Sequence, residues 1–206
     1  MPSSSNRLID DVAVLYVDRL GPYPKLVAAG NWYDEAADGR SYAGPWPIVA
    51  HPPCGPWGHL RHLSRFQDPT LAPLAVQQVR RFGGVLEHPS GSKLFEALDL
   101  PRPGDPPDAW GGRTIAVNQC DWGHVARKAT WLYMVGVREP RYFPPSREPT
   151  HWASGSRTAV RGPVPPGIKV CSTQQRRRTP PAFARWLIEA MKTDGASSPV
   201  PDDRSR

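Results

Sequence analysis

The chain has 206 residues, of which 39% are apolar, and its formal net charge is +7. That length supports one domain with a buried core and is short for two. No apolar run approaches the roughly 20 residues that cross a bilayer, which argues against a membrane-spanning protein. The 26 prolines and 18 glycines indicate many loops and few long regular elements.

The first two predicted strands each end at a polar side chain. The run "VAVLYVD" (residues 12–18) is typical of a buried strand that ends at Asp18. The run "WPIVA" (46–50) is a second strand, which stops at Pro-Pro and leads to Cys54 and a Gly-Pro turn. The segment between the two strands is expected to hold one short helix and a loop.

The middle of the chain alternates a helix with strands. Residues 73–83 space their apolar side chains for a helix that ends at Gly83. "GVLEHP" follows as a short strand that carries Glu87. Residues 113–119 and 130–137 predict two more strands, which are too close in sequence for a parallel crossover and therefore pair antiparallel.

The C-terminal part of the chain is predicted to be a loop followed by a helix. Residues 138–170 have no periodicity and are expected to form a loop rich in proline and arginine, and residues 179–192 predict a helix with Thr179 as N-cap and Pro180 at its first position. Residues 8–192 are thus expected to form a single compact α/β domain with disordered ends at 1–7 and 193–206. Its strands would bring Asp18, Cys54 and Glu87 to one edge, where open α/β sheets bind ligands.

A basic stretch lies between Glu148 and Glu189, where no acidic residue occurs. Such a stretch binds polyanions through counterion release, although a solvated basic face would have the same composition. The candidate nucleic-acid-binding residues are Arg157, Arg161, Lys169, Arg176, Arg177 and Arg178.

Four segments together resemble the DNA cytosine-5 methyltransferases. They are "AHPPCGPW" with Cys54, "GGVLEHP" with Glu87, "WGHVARKATWLYMVG" with Arg127 and Lys128, and "RRRTPPAFARWL" at 176–187. In that family a Pro-Cys segment carries the nucleophile, a later segment the carboxylate, and a third the basic residues, in this order. The resemblance spans roughly residues 46–190 and implies a Rossmann-like, methyltransferase-type sheet.

The resemblance also implies a reaction on a cytosine that has left the DNA stack. The Cys54 thiolate would add to C6 of the ring and make C5 nucleophilic. Glu87, protonated in an apolar setting next to Val85 and Leu86, would donate to N3, and a cation near O2 would stabilise the developing charge. Arg127 is the first candidate for that cation, and the alignment leaves open whether Lys128 takes its place.

The methyl donor of that family is S-adenosylmethionine, which binds a glycine-rich turn after the first strand. Here the turn reads "VLYVDRLGPYPKL" with a single glycine, so Asp18 and Gly21 are the candidate cofactor-binding residues. Only residues 138–175 lie between the basic motif and the last helix, and they offer little surface for base readout. The expected partner is therefore DNA bound with low sequence specificity, and the expected enzyme is a phage-type transferase.

Two other functions stay open. The chain could be a catalytically inactive nucleic-acid-binding relative with the same fold. It could also bind zinc, because His51 and Cys54, His59 and His62, and Cys120 and His124 have ligand-like spacings. Three cysteines without a disulfide framework predict a reducing, cytoplasmic setting in a bacterium or a phage-infected host. The sequence predicts no oligomeric state.

Overall fold

The computed structural model describes residues 8–58, 61–64, 68–137, 140, 142–153 and 166–191. Its strands are β1 Ala13–Leu15, β2 Trp32–Tyr33, β3 Ile48–Ala50, β4 Gly84–Pro89, β5 Arg113–Asn118, β6 Ala129–Val135, β7 His151–Trp152 and β8 Lys169–Val170. Its α-helices are α1 Leu71–Phe82, α2 Lys93–Ala97, α3 Thr173–Arg177 and α4 Pro181–Met191.

A mixed sheet of six strands in the order β2-β1-β3-β4-β6-β5 forms the centre of the fold. The first four strands in that order run parallel. β6 then pairs antiparallel with both β4 and β5, which confirms the predicted hairpin. The α/β class is therefore confirmed, and the carboxyl ends of β1, β3 and β4 lie along one edge of the sheet as expected.

Helices cover both faces of the sheet, because the parallel strands are apolar on both sides. On one face α4 buries Phe183, Leu187 and Met191 against β1, β3, β4 and β6, and this is the apolar face that the helical spacing predicts. On the other face α1 and α2 cover Leu15, Leu86 and their neighbours. The core thus consists of two apolar layers with the sheet between them.

β3 and β4 approach each other closely at Gly84. This residue has φ +125°, and a Cβ atom there would overlap the backbone carbonyl of Ile48 and lie 2.6 Å from its nitrogen. Only glycine fits such a close approach. Gly84 therefore fixes the spacing of the two strands that carry Cys54 and Glu87.

Several details differ from the sequence predictions, among them β1, which ends at Leu15 and not at Asp18, and α2, which was not predicted. β2 lies in the segment that was expected to be a helix and loop, since two residues are too few for a visible pattern. The predicted loop at 138–170 contains β7 and β8, and α3 follows it. The last helix begins at Pro181, one residue later than predicted, because the carbonyl of Pro180 accepts its first hydrogen bond. The predicted disordered ends lie outside the described residues, among which no helix is long and apolar enough to cross a membrane.

Candidate active site

The carboxyl edge of the sheet brings together a thiol, a carboxylate and an ammonium group. His51 and Cys54 follow β3, Glu87 lies on β4, and Lys128 directly precedes β6. The charge of Glu87 acts on both Cys54 and Lys128, and the charge of Lys128 acts on Cys54. The sequence predicted these three residues together with Arg127, which was the first candidate for the cation.

Protein groups hold both carboxylate oxygens of Glu87. Oε2 lies 3.0 Å from Nδ1 of His51, and Oε1 accepts a hydrogen bond of 3.0 Å from Nε2 of Gln119. The hydroxyl of Thr130 lies 3.3 Å from Oε1. The Glu87 side chain is 12% exposed, so a ligand at the sheet edge can still reach it.

The expectation that Glu87 is protonated is wrong for the protein without a bound base. Burial by itself raises the pKa of this carboxyl, but the hydrogen bond with His51 and the charge of Lys128 outweigh it and hold the pKa at about 2. The apolar neighbours in sequence, Val85 and Leu86, do not decide the outcome. The pKa of Glu87 is decided by hydrogen-bond donors and charges that come from other strands.

Cys54 is exposed at the edge of the sheet, while the other two cysteines, Cys120 and Cys171, are buried. Desolvation of its sulfur is the main cause that raises the pKa of the thiol, and the negative charge of Glu87 raises it further. The positive charges of Lys128 and Arg177 act in the opposite direction. Cys54 therefore rests as a thiol next to an ionised carboxylate.

Lys128 is the lysine whose charge acts on both Cys54 and Glu87. Its backbone has φ +43°, a left-handed conformation that residues other than glycine rarely adopt. Nζ donates a hydrogen bond of 2.9 Å to the carbonyl of Arg178, and desolvation lowers the pKa of the ammonium group. Strained backbone of this kind concentrates at functional sites.

Arg127 does not join this group, which corrects its expected role as the cation near O2. Its side chain is exposed, and Nε donates a hydrogen bond of 3.2 Å to Asn118. It lines a separate open cleft of about 180 Å³ together with Arg147 and Trp152. The sequence could not separate the two cations, because their different hydrogen-bond partners, Asn118 and Arg178, come from distant parts of the chain.

Part of the predicted basic surface lies beside the site. Lys128 binds the carbonyl of Arg178, and Nε2 of the buried His124 lies 2.9 Å from the carbonyl of Gln175. These contacts fix α3, which carries Arg176 and Arg177, against the segment that leads into β6. Lys169 is exposed on β8. Arg157 and Arg161 lie outside the described residues.

Protein-family models, curated proteins and solved structures were compared with this chain. None of them matches. The case for this site therefore depends on the arrangement of its own side chains.

The two predicted cofactor-binding residues form a tight turn. The backbone N–H of Gly21 binds the carbonyl of Asp18 at 2.8 Å, and the N–H of Leu20 binds the Asp18 carboxylate at 2.9 Å. A Cβ atom on Gly21 would lie 2.8 Å from that carbonyl oxygen. The turn itself therefore requires this glycine, so Gly21 carries no information about a cofactor.

The other position suited to a nucleotide cofactor is also occupied by protein contacts. Asp34 follows β2, where doubly wound nucleotide-binding sheets carry a ribose-binding carboxylate. Its Oδ1 accepts hydrogen bonds from the backbone N–H groups of Ala36 and Ala37, and its Oδ2 accepts one from Arg19. These residues do not fit S-adenosylmethionine, because their polar groups are already paired within the protein.

The zinc hypothesis receives no support from the described residues. Within them, no three His, Cys, Asp or Glu side chains lie close enough to share a metal ion. His59, one of the residues with ligand-like spacing, lies outside the described part. His51 uses both ring nitrogens in hydrogen bonds with Tyr23 and Glu87.

Sequence reasoning missed most of the side chains that surround Glu87. Tyr23, Gln119 and Thr130 belong to three different segments, and none of the three was predicted as a site residue. His51 drew attention only as a possible zinc ligand. The position of His51 directly after a buried strand, one strand away from Glu87, could have identified it as a site residue.

Proposed function

We propose that this protein acts on cytosine in DNA, with Cys54 as the nucleophile that adds to C6 of a base that has left the stack. The observation that carries the proposal is the meeting of Cys54, Glu87 and Lys128 at one sheet edge, each within electrostatic reach of the others. The sheet order adds support, since its parallel part, β2-β1-β3-β4, has the order of a doubly wound fold. A Rossmann-like, methyltransferase-type fold is part of this proposal.

The first step starts from a thiol and an ionised carboxylate, and proton transfer between them is uphill in the protein without a bound base. The Cys54 thiol gives its proton to the Glu87 carboxylate as the base binds, and the thiolate adds to C6 while the C5–C6 π bond breaks. The electron pair moves toward N3 and O2, where Glu87 returns the proton to N3 and Lys128 stabilises the charge at O2. C5 is then nucleophilic and takes a proton from water, and reversal of these steps restores the ring.

DNA is the proposed polymer because the site lies beside the basic turn of α3. Arg177 is exposed there, and its charge reaches Cys54. Contacts of this kind bind phosphates without regard to sequence, which agrees with low sequence specificity. The flipped base would reach a thiol that is already exposed.

The proposal is tested by exchange of the C5 hydrogen of cytosine, which requires only water and the C6 adduct. Oligonucleotides with randomised flanks, single- and double-stranded, are incubated with the protein in D₂O, and deuterium in deoxycytidine is measured by mass spectrometry. We expect exchange with the native protein and none with Cys54→Ser. Equal deuterium in both samples contradicts the proposal.

A second candidate function is nucleic-acid binding without catalysis. The observation that favours it is the poor fit of S-adenosylmethionine, because Asp34 and the Asp18 turn are committed to protein contacts. This candidate predicts DNA binding that weakens steeply with salt and no C5 exchange under any condition. The exchange experiment therefore separates the two functions.

A further inference from the structure

We propose that His51 and Tyr23 are positioning residues that aim the Glu87 carboxylate at a bound pyrimidine, an inference that rests on the function proposed above. The hydroxyl of Tyr23 lies 2.6 Å from Nε2 of His51, and Nδ1 of His51 lies 3.0 Å from Oε2 of Glu87. The three residues come from β4 and from the segments after β1 and β3. The chain of hydrogen bonds therefore crosses three neighbouring strands at the edge where the base would bind.

The hydrogen bonds that link Tyr23, His51 and Glu87 join side chains that are held rigidly. Tyr23 is 2% exposed, and its ring centroid lies 5.0 Å from that of His51. The backbone N–H of His51 binds the carbonyl of Leu15 at 3.0 Å, which fixes the residue to β1. Neither ring can turn away without leaving a polar group unpaired in a poorly solvated place.

This arrangement excludes a different role for His51. A histidine three residues before a cysteine suggests a general base for the thiol. Both ring nitrogens of His51 are engaged, however, one by Tyr23 and the other by Glu87. His51 thus acts on Glu87, and Glu87 remains the group that exchanges a proton with Cys54.

The other carboxylate oxygen is held from the opposite side. Oε1 accepts from Gln119, which is fully buried, and Thr130 lies next to both. The carboxylate plane is therefore fixed at both oxygens, while the Glu87 side chain remains 12% exposed.

The charged and titratable groups around Glu87 come from every neighbouring strand segment. His51, His88 and Lys128 lower the pKa of Glu87, and Glu87 in turn raises those of Tyr23 and Cys54. The hydrogen bond of His51 is the largest of the lowering causes. Its loss should move the titration of Glu87 toward higher pH, which a purely steric role for His51 would not do.

The test combines C5 exchange at saturating DNA with ¹³C NMR titration of the Glu87 carboxyl. His51→Ala should lower the maximal exchange rate about 100-fold through misplacement of Glu87 and raise the pH at which Glu87 titrates. His51→Asn keeps an N–H donor near the Nδ1 position and should restore part of both properties. Tyr23→Phe, which preserves shape, should lower exchange severalfold. The exposed His62→Ala is the matched control and should change neither.

The outcomes are distinguishable. If the native protein catalyses Cys54-dependent exchange while the His51 and Tyr23 variants stay within about 3-fold of it and Glu87 titrates unchanged, this inference is overturned and the proposed function stands. If the native protein catalyses no exchange, both fail together. Should His51→Ala not fold, Tyr23→Phe and His51→Asn decide the matter by the same two readouts.

Discussion

Arg127 and Lys128 are neighbours in the chain, yet their side chains serve different surfaces. Nζ of Lys128 donates to the carbonyl of Arg178 and its charge reaches Cys54, whereas Arg127 donates to Asn118 and lines a separate cleft. The backbone of Lys128 is left-handed, with φ +43°. A basic pair in sequence thus supplies a single cation to the candidate site.

The different surroundings of Arg127 and Lys128 provide a matched pair of variants. Lys128→Ala should lower C5 exchange at saturating DNA by about 100-fold to 1,000-fold, because one preorganised charge near O2 is lost. Arg127→Ala removes the same charge from the adjacent position and should leave the maximal rate within about 3-fold. Equal losses in the two variants would show that only the overall charge of this segment matters.

The reactivity of Cys54 should report on its two charged neighbours. Iodoacetamide reacts with the thiolate, and Cys54 is the one exposed cysteine among the three. Glu87→Gln removes a charge that raises the pKa of Cys54, so alkylation at pH 7.5 should become faster. Lys128→Met removes a charge that lowers this pKa and should make alkylation slower.

Peptide mapping by mass spectrometry assigns the modified cysteine, and the pH dependence of the rate gives the thiol pKa of each variant. The exposed Glu96→Gln is a control that leaves the charges around Cys54 in place. Rates that are the same in the Glu87, Lys128 and control variants would place these side chains too far from the sulfur for the proposed chemistry.

His88 makes the stability of the fold depend on pH in the mildly acidic range. It is fully buried, both ring nitrogens lack a hydrogen-bond partner, and burial lowers its pKa from 6.5 to about 4. The unfolded chain therefore binds the proton first as the pH falls. Stability from the neutral ring is complete above about pH 6.5 and declines toward pH 4, by about 2 kcal/mol between pH 7.5 and pH 5.

Urea unfolding at these two pH values measures this loss. His88→Leu removes the buried imidazole. Between pH 7.5 and pH 5, the free energy of unfolding of this variant should therefore fall by about 2 kcal/mol less than that of the native protein. His124, whose pKa burial also lowers, is present in both proteins, so the difference reports on His88 alone. An unchanged pH dependence would mean that His88 has a partner in solution.

Gly84 should tolerate no side chain. Gly84→Ala places a Cβ atom against the backbone of Ile48 and keeps a φ of +125°, so we expect a loss of more than about 3 kcal/mol or no folded protein. Gly111→Ala is the control, because that glycine also has positive φ but has open space around it, and it should cost about 1 to 2 kcal/mol. Thermal unfolding compares the two. Similar stabilities would contradict the close approach of β3 and β4.

The sequence predicted the elements whose patterns are long or strongly marked. β4, α1, α4 and the β5–β6 hairpin were recognisable because their apolar periodicity extends over six residues or more. β2, β7 and β8 have two residues each, too few for any period, and their pairing depends on tertiary contacts. The edge that carries Cys54 and Glu87 was predictable because strands that run parallel end on the same side.

The protonation of the site was not predictable in the same way. Apolar neighbours in sequence suggested a neutral Glu87, but its state depends on His51 and Lys128, which arrive from other strands. The position expected for a methyl donor was equally hard to judge from sequence. The hydrogen bond that pairs Asp34 with Arg19 joins residues 15 apart in the chain. The strands that meet at this edge were predictable, but the hydrogen bonds that decide the charge of Glu87 depend on side-chain contacts that the sequence pattern does not show.

Covalent capture tests the central claim most directly. Oligonucleotides that carry pyrimidin-2-one in place of cytosine accept a thiolate at C6, and the adduct is located by mass spectrometry of the digested complex. The account predicts one adduct, on the peptide with Cys54, that is lost in Cys54→Ser and strongly reduced in Glu87→Gln. No adduct with the native protein, or an adduct on Cys120 or Cys171 instead, would contradict it.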